Sequence, residues 1–111
     1  MPSDAEQIRH QLLVLAQRRT CQIIGHPHRW HPTQVMDPDS GQPFTPVGAW
    51  EFIVSLLQGG VEIETKILDA PEEGKKAYVI VTPLGARTLY IKLQLGSGHV
   101  IGRSFHYSEQ E

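Results

Sequence analysis

The sequence has a single cysteine, little excess charge of either sign and no long hydrophobic run. Cys21 has no second cysteine with which to form an intramolecular disulfide, which indicates a reducing compartment such as the cytoplasm. The net charge of -2 provides no overall positive field for nucleic acid or acidic lipid, so any anion-binding site has to be local. The longest apolar stretch, 47–57, is interrupted by Gly48 and Glu51 and is far shorter than the roughly 20 residues that cross a bilayer. We expect a cytoplasmic protein with no membrane span.

The sequence also lacks a glycine-rich phosphate loop, a dinucleotide fingerprint, a pair of CxxC motifs and internal repeats. A chain of 111 residues has room for one hydrophobic core, which excludes a separate cofactor-binding domain. Its 40% hydrophobic and 20% charged residues are typical of globular domains. We therefore expect one domain over residues 1–111 and no cofactor.

The N-terminal part, residues 1–24, predicts one amphipathic helix followed by a short β-prone segment. Ser3 and Glu6 have the spacing of a capping box, in which each side chain bonds a backbone amide of the other residue. Apolar residues then recur at intervals of three and four, which predicts a helix over residues 4–18.

Residues 25–46 form a proline-rich and histidine-rich segment. Its five prolines, two glycines and three histidines in 22 residues are incompatible with a regular helix or a central strand. A loop of this length inside a small domain is usually functional or held by anchors. We expect an ordered loop that Trp30, Val35 and Phe44 anchor to the core.

The C-terminal part, residues 47–111, predicts a helix followed by a β-meander. Thr45 and Pro46 are typical of a helix start, and Gly59 follows a predicted end at about Gln58. After that, alternating or β-branched runs separated by turn residues indicate strands. These runs are 61–67, 76–82, 88–95 and 100–107. The fold class predicted is α+β, with two helices and the proline-rich loop packed on a three- to four-stranded antiparallel sheet.

The register of the last hairpin decides which side chains share a face. A three-residue turn at 96–98 places Lys92 opposite Gly102 and Tyr90 opposite Ser104. A two-residue turn would place Lys92 opposite Arg103, a like-charge pair, so we prefer the longer turn. It predicts one polar face formed by Tyr90, Lys92, Gln94, Ser104 and His106. The opposite, core-facing set is Leu89, Ile91, Leu93, Ile101 and Phe105, with Arg103 reaching out at its rim.

A sheet face of this composition has the groups needed to cleave RNA without a metal. Cationic side chains bind the phosphate and its developing charge, and titratable groups move protons to and from the reacting oxygens. Histidine is the usual proton-transfer group near neutral pH, and arginine binds phosphate in a bidentate manner. Small cytosolic domains also commonly carry solvated Lys, Arg, Gln and Tyr side chains with no function, so composition alone leaves both interpretations open.

The segments Leu89-Tyr-Ile-Lys-Leu-Gln-Leu-Gly and Gly102-Arg-Ser-Phe-His-Tyr-Ser108 resemble the closing hairpin of bacterial mRNA interferase toxins of the RelE and MqsR superfamily. The resemblance covers about the last 50 residues. It implies a toxin-antitoxin system in which an endoribonuclease acts on mRNA and an antitoxin protein neutralises it. It also implies catalytic roles for Lys92 as the phosphate-binding or basic lysine, Arg103 as a phosphate clamp, and His106 with Tyr107 as an acid/base pair. Tyr90, Gln94 and Ser104 would bind substrate.

A histidine cluster in the proline-rich segment is a second candidate site. His26, His28 and His31 could ligate zinc or nickel, with Asp37 or Asp39 completing a tetrahedron. The spacing differs from the common structural zinc patterns, and the alternative is a surface loop shaped by Pro and His. A third possibility is a non-catalytic module that docks another protein through the sheet face or through the loop between Trp30 and Phe44.

Overall fold

The computed structural model describes residues 3–18, 21–23, 29–68, 75–96 and 98–108. Helix α1 spans Asp4–Gln17, and Ser3 Oγ accepts a hydrogen bond from the Glu6 amide at 3.2 Å. Helix α2 spans Pro46–Gln58, and Thr45 Oγ1 accepts from the Gly48 amide at 2.9 Å. Both predicted helices are confirmed, as are the predicted N-cap positions of Ser3 and Thr45. No helix within the described residues is long and apolar enough to cross a membrane.

The main sheet contains two short strands that precede α2 in the chain and four longer strands that follow it. Strands β1 (Cys21–Ile23) and β2 (Arg29–Trp30) both pair in parallel with the last strand of the chain. The sequence predicted a β-prone segment near residue 21 but an entirely antiparallel sheet. The parallel pairs were missed because their partner is about 75 residues away in the chain.

The proline-rich segment contains regular structure in its described part, 29–46. A short 3-10 helix covers Pro32–Gln34, and strands β3 (Met36–Asp37) and β4 (Gln42–Pro43) form a separate hairpin. The prediction of one ordered loop is not confirmed in detail, because these short elements divide the segment. The three predicted anchors, Trp30, Val35 and Phe44, are all buried, as expected.

The four predicted antiparallel strands are present and form a meander. They are β5 (Glu64–Ile67), β6 (Lys76–Leu84), β7 (Arg87–Leu95) and β8 (Val100–Tyr107), in the spatial order β1-β8-β7-β6-β5. The fold is α+β, as predicted. Strand β6 continues past the predicted break at Pro83, which lies opposite Thr88 near the end of the strand.

Both helices pack on one face of the sheet, which we call the helix-covered face. Trp30 lies between the ring of Trp50, with centroids 5.0 Å apart, and the ring of Phe105, at 5.5 Å. Phe44 contacts Phe105 and the half-buried Phe52. The buried side chains of strands β6 to β8 that join this core are Tyr78, Ile80, Leu84, Leu89, Ile91, Leu93, Val100 and Phe105. The opposite side of β5 to β8 is the open face.

Candidate nucleic-acid interface

The open face contains a shallow depression of about 520 Å³ that all four strands of the meander line. One row of facing residues crosses it from β5 to β8. Glu64 pairs with Val79, Val79 with Lys92, and Lys92 with Ser104. Cross-strand neighbours have side chains about 5 Å apart, so this row places the Lys92 ammonium next to the Ser104 hydroxyl, while Val79 separates Lys92 from Glu64.

A second row lies next to the first and consists of Val81, Tyr90 and His106. Val81 pairs with Tyr90, and Tyr90 pairs with His106. The Tyr90 and His106 rings are stacked, with centroids 5.3 Å apart and planes 21° apart. Because Lys92 and His106 are diagonal neighbours in adjacent rows, they stand roughly 7–8 Å apart, within reach of each other for long side chains.

The hairpin register differs from the predicted one. Tyr90 faces His106 and Lys92 faces Ser104, whereas Leu95 faces Val100. The register shifts between Lys92 and Leu93, and Arg103 is the extra residue that forms a β-bulge in β8. The predicted pairs Tyr90 with Ser104 and Lys92 with Gly102 are therefore wrong.

The predicted face assignments are correct on one side of the bulge and wrong on the other. Next to Tyr90 the true register differs from the prediction by two residues, which leaves every side chain on its predicted face. Beyond the bulge it differs by one, which exchanges the faces. Ile101 consequently faces Gln94 on the open side, although we predicted it in the core, and Val100 is fully buried instead.

The His106 imidazole is oriented by its own strand. Its Nδ1 lies 2.8 Å from the backbone oxygen of Tyr107. A carbonyl oxygen only accepts hydrogen bonds, so Nδ1 carries the proton and Nε2 of the neutral ring carries the lone pair. The half-buried ring also packs on Tyr90. These two contacts favour one plane of the imidazole and the tautomer with its proton on Nδ1.

Tyr107 does not share the site of His106. Successive residues of a strand point to opposite faces, and Tyr107 Oη instead accepts a hydrogen bond from the Met36 amide at 2.9 Å. The guanidinium of Arg87 lies 3.8 Å from the centre of the Tyr107 ring. The predicted acid/base pair of His106 and Tyr107 is corrected: the two side chains are separated by the sheet.

Arg103 and Gln94 bind each other and do not line the depression. The Arg103 Nη1 donates to the Gln94 Oε1 at 2.9 Å, and the Gln94 side chain is only 6% exposed. Gln94 does not border the depression, which removes it from the set of substrate-contacting residues that the sequence predicted, whereas Ser104, also 6% exposed, borders it. Arg103, predicted as a phosphate clamp, lies at the end of the open face with its guanidinium directed to a neighbour on β7.

Strand β5 contributes residues to the site that the sequence did not predict. Glu64 and Lys66 line the depression together with Thr88 and Ser108. The alternation in residues 61–67 showed that Glu64 and Lys66 share one face of their strand, but not that this face continues the face of Lys92. Only the pairing of β5 with β6 establishes that.

The predicted histidine cluster is tested only in part. His26 and His28 lie outside the described residues, and His31 is half-buried, with its amide donating to the Phe105 oxygen at 3.0 Å. Among the residues that the structure describes, no group of three His, Cys, Asp or Glu side chains is placed to hold a metal ion.

Comparisons of the chain with protein-family models, with curated proteins and with solved structures find no match. The similarity of the C-terminal hairpin to the interferase toxins therefore stays a prediction, and the function has to be argued from the site itself.

Proposed function

We propose that the open face binds single-stranded RNA and cleaves it without a metal ion, by general acid/base catalysis. The observation that carries this proposal is the His106 imidazole, whose Nδ1 is held by the Tyr107 oxygen and whose ring lies in a depression next to Lys92 and Ser104. A fixed tautomer with a basic Nε2 is what a general base for an RNA 2′-hydroxyl requires.

The physical properties of the depression suit a nucleic-acid strand. Lys66 and Lys92 bring positive charge to an otherwise slightly acidic chain, and Tyr90 supplies an aromatic ring. Single-stranded nucleic acids bind to such surfaces through phosphate contacts and base stacking, where stacking contributes roughly 1–3 kcal/mol per base. The shallow, extended form of the face fits a strand better than a small molecule.

The cleavage step uses the RNA's own hydroxyl as nucleophile. His106 Nε2 accepts the proton of a 2′-hydroxyl, and the 2′-oxygen attacks the adjacent phosphorus. The bond from phosphorus to the 5′-oxygen breaks, and that oxygen takes a proton from water. The Lys92 ammonium stabilises the negative charge that develops on the phosphoryl oxygens. The products are a 2′,3′-cyclic phosphate and a 5′-hydroxyl.

Cleavage of an unstructured RNA in the presence of a chelator tests the proposal. We expect the wild-type chain to cut, and His106→Ala and Lys92→Ala to lose about 100-fold or more in rate, as is typical when a proton-transfer or charge-stabilising group is removed. His10→Ala and Lys76→Ala are matched controls, because both residues are exposed and lie outside the depression. Equal cleavage by all five proteins would contradict the proposal.

A neutralising antitoxin protein in the cytoplasm of a bacterium belongs to the same proposal. Expression of the wild-type chain alone should then arrest growth, and His106→Ala should relieve the arrest. If the two variants, His106→Ala and Lys92→Ala, remain as toxic as wild type, the open face acts as a docking surface and the nuclease proposal fails.

A further inference from the structure

Strand β5 is the outermost strand of the sheet, and its outer edge is open. Within the described residues β6 is its sole strand partner. All four residues of Glu64–Ile67 are exposed, and the strand contains neither proline nor glycine. An edge of this kind presents unpaired backbone groups that can accept another strand.

The direction of the β5 backbone groups follows from one hydrogen bond. The Leu68 amide donates to the Lys75 oxygen at 2.8 Å, so Leu68 directs its backbone groups towards β6. Backbone direction alternates along an antiparallel strand, so Lys66 and Glu64 also bond to β6. Thr65 and Ile67 therefore direct their N–H and C=O groups to the free edge.

We propose that a second copy of this chain pairs antiparallel with β5 to form a two-fold dimer, with Thr65 on the symmetry axis. Thr65 and the partner's Thr65 then exchange both of their backbone hydrogen bonds. This is the pairing geometry that outward-directed residues of antiparallel strands adopt. A symmetric contact of this type closes after two copies.

The charges on β5 select this register. With Thr65 on the axis, Glu64 lies opposite the partner's Lys66, and Lys66 lies opposite the partner's Glu64. A shift of the axis to Glu64 or to Lys66 would place two like charges directly opposite each other, which is unfavourable. Charge complementarity thus favours one of the three axis positions at Glu64, Thr65 and Lys66.

The same register covers the most exposed large hydrophobic side chain of the described residues. Ile67 is 61% exposed and lies on the other side of β5 from Glu64 and Lys66. In the dimer it lies opposite the partner's Ile63, which in each copy is half-buried against the core. The register with Thr65 on the axis therefore gives apolar contact on one side of the strand pair and ion pairs on the other.

The dimer makes one continuous sheet from the two meanders. The two-fold axis is perpendicular to the sheet. The open faces of the two copies therefore lie on the same side and meet at Glu64 and Lys66. Because the paired segment is only four residues long, we expect a buried area below the range of about 1,200–2,000 Å² of stable complexes and therefore a weak dimer.

Sedimentation velocity over about 10 μM to 1 mM protein, without RNA, tests the pairing through mass action. The wild-type chain should shift from monomer to dimer as concentration rises. Glu64→Lys alone and Lys66→Glu alone each create like-charge contacts at two symmetric places, so we expect dimerisation roughly tenfold weaker. The double variant Glu64→Lys with Lys66→Glu restores opposite charges and should return to near the wild-type affinity.

Thr65→Pro is a second, independent variant. It removes a backbone N–H that β6 does not use, and proline is tolerated at such edge positions. We expect an unchanged circular dichroism spectrum and no dimer at any concentration. The proposal fails if the wild-type chain stays monomeric at about 1 mM, if the two charge reversals do not compensate each other, or if a strand of a different protein occupies β5 while this chain remains monomeric. These outcomes test the pairing of β5 alone, and RNA cleavage is tested separately with His106→Ala and Lys92→Ala, because Glu64 and Lys66 themselves line the depression.

Discussion

The indole of Trp30 lies so close to Gly102 that a methyl group at position 102 would stand 2.7 Å from its Cζ3 atom. The indole is held in place by the rings of Trp50 and Phe105 and cannot move aside. Gly102→Ala should therefore lower the free energy of unfolding by about 1–3 kcal/mol, the usual cost of overpacking a core. Urea denaturation measures the change.

A second substitution distinguishes this contact from a backbone effect. Trp30→Phe removes the ring atoms that the new methyl group would meet. The double variant Gly102→Ala with Trp30→Phe should lose less unfolding free energy than the sum of the losses in the two single variants. The effects are not additive because Trp30→Phe relieves the clash that Gly102→Ala creates. Strict additivity would show that the contact does not limit position 102.

The hydrogen bond between Arg103 and Gln94 predicts a stability effect. Arg103→Ala leaves the buried Gln94 Oε1 without this donor, which should cost about 1–3 kcal/mol of unfolding free energy. Lys76→Ala, an exposed charge on β6, is the control and should be nearly neutral. Thermal denaturation compares the two. A neutral Arg103→Ala would mean that the bond is absent in solution.

Tyr107 gives a prediction that separates it from His106. Tyr107→Phe deletes the acceptor for the Met36 amide and should lower the unfolding free energy by about 1 kcal/mol or less, since the bond is exposed. The rate of RNA cleavage should stay at the wild-type level, because Tyr107 lies on the opposite face from the depression. A loss of cleavage rate as large as that in His106→Ala would instead show that Tyr107 takes part in cleavage.

The stack of Tyr90 on His106 predicts a graded response in RNA cleavage. Tyr90→Phe keeps the ring and should retain cleavage, whereas Tyr90→Leu removes the surface that holds the imidazole plane. An aromatic pair of this type contributes about 0.5–1.5 kcal/mol, so a fall of roughly two- to tenfold in rate is expected for Tyr90→Leu. If Tyr90→Phe loses as much as Tyr90→Leu, the hydroxyl rather than the stack matters.

The sequence predicts the local elements well because their signals are local. The hydroxyls of Ser3 and Thr45 each bond an amide three residues later, and that spacing is visible in the sequence. The four meander strands are likewise separated by turn residues. The anchors Trp30, Val35 and Phe44 were identifiable as large apolar residues in an otherwise polar segment.

Which residues form the site was predictable only in part, because this depends on how the strands pair with one another. The extra residue Arg103 shifts the register within β8, and nothing in the local pattern marks it as a bulge. The need for glycine at position 102 is evident only from the parallel pairing of β2 with β8, which places Trp30 beside it. The same limit hid the contribution of Glu64 on β5, whose partners belong to other strands.

The most direct test of the open face as the RNA site is an NMR titration of the labelled chain with an RNA oligonucleotide whose 2′-hydroxyls are methylated, so that it binds without being cut. We predict that the amide signals of Val81, Tyr90, Lys92, Ser104 and His106 shift as RNA is added, while those of α1 and α2 stay in place. Shifts confined to the helices, or none at about millimolar RNA, where even weak non-specific binding is saturated, would contradict the proposal.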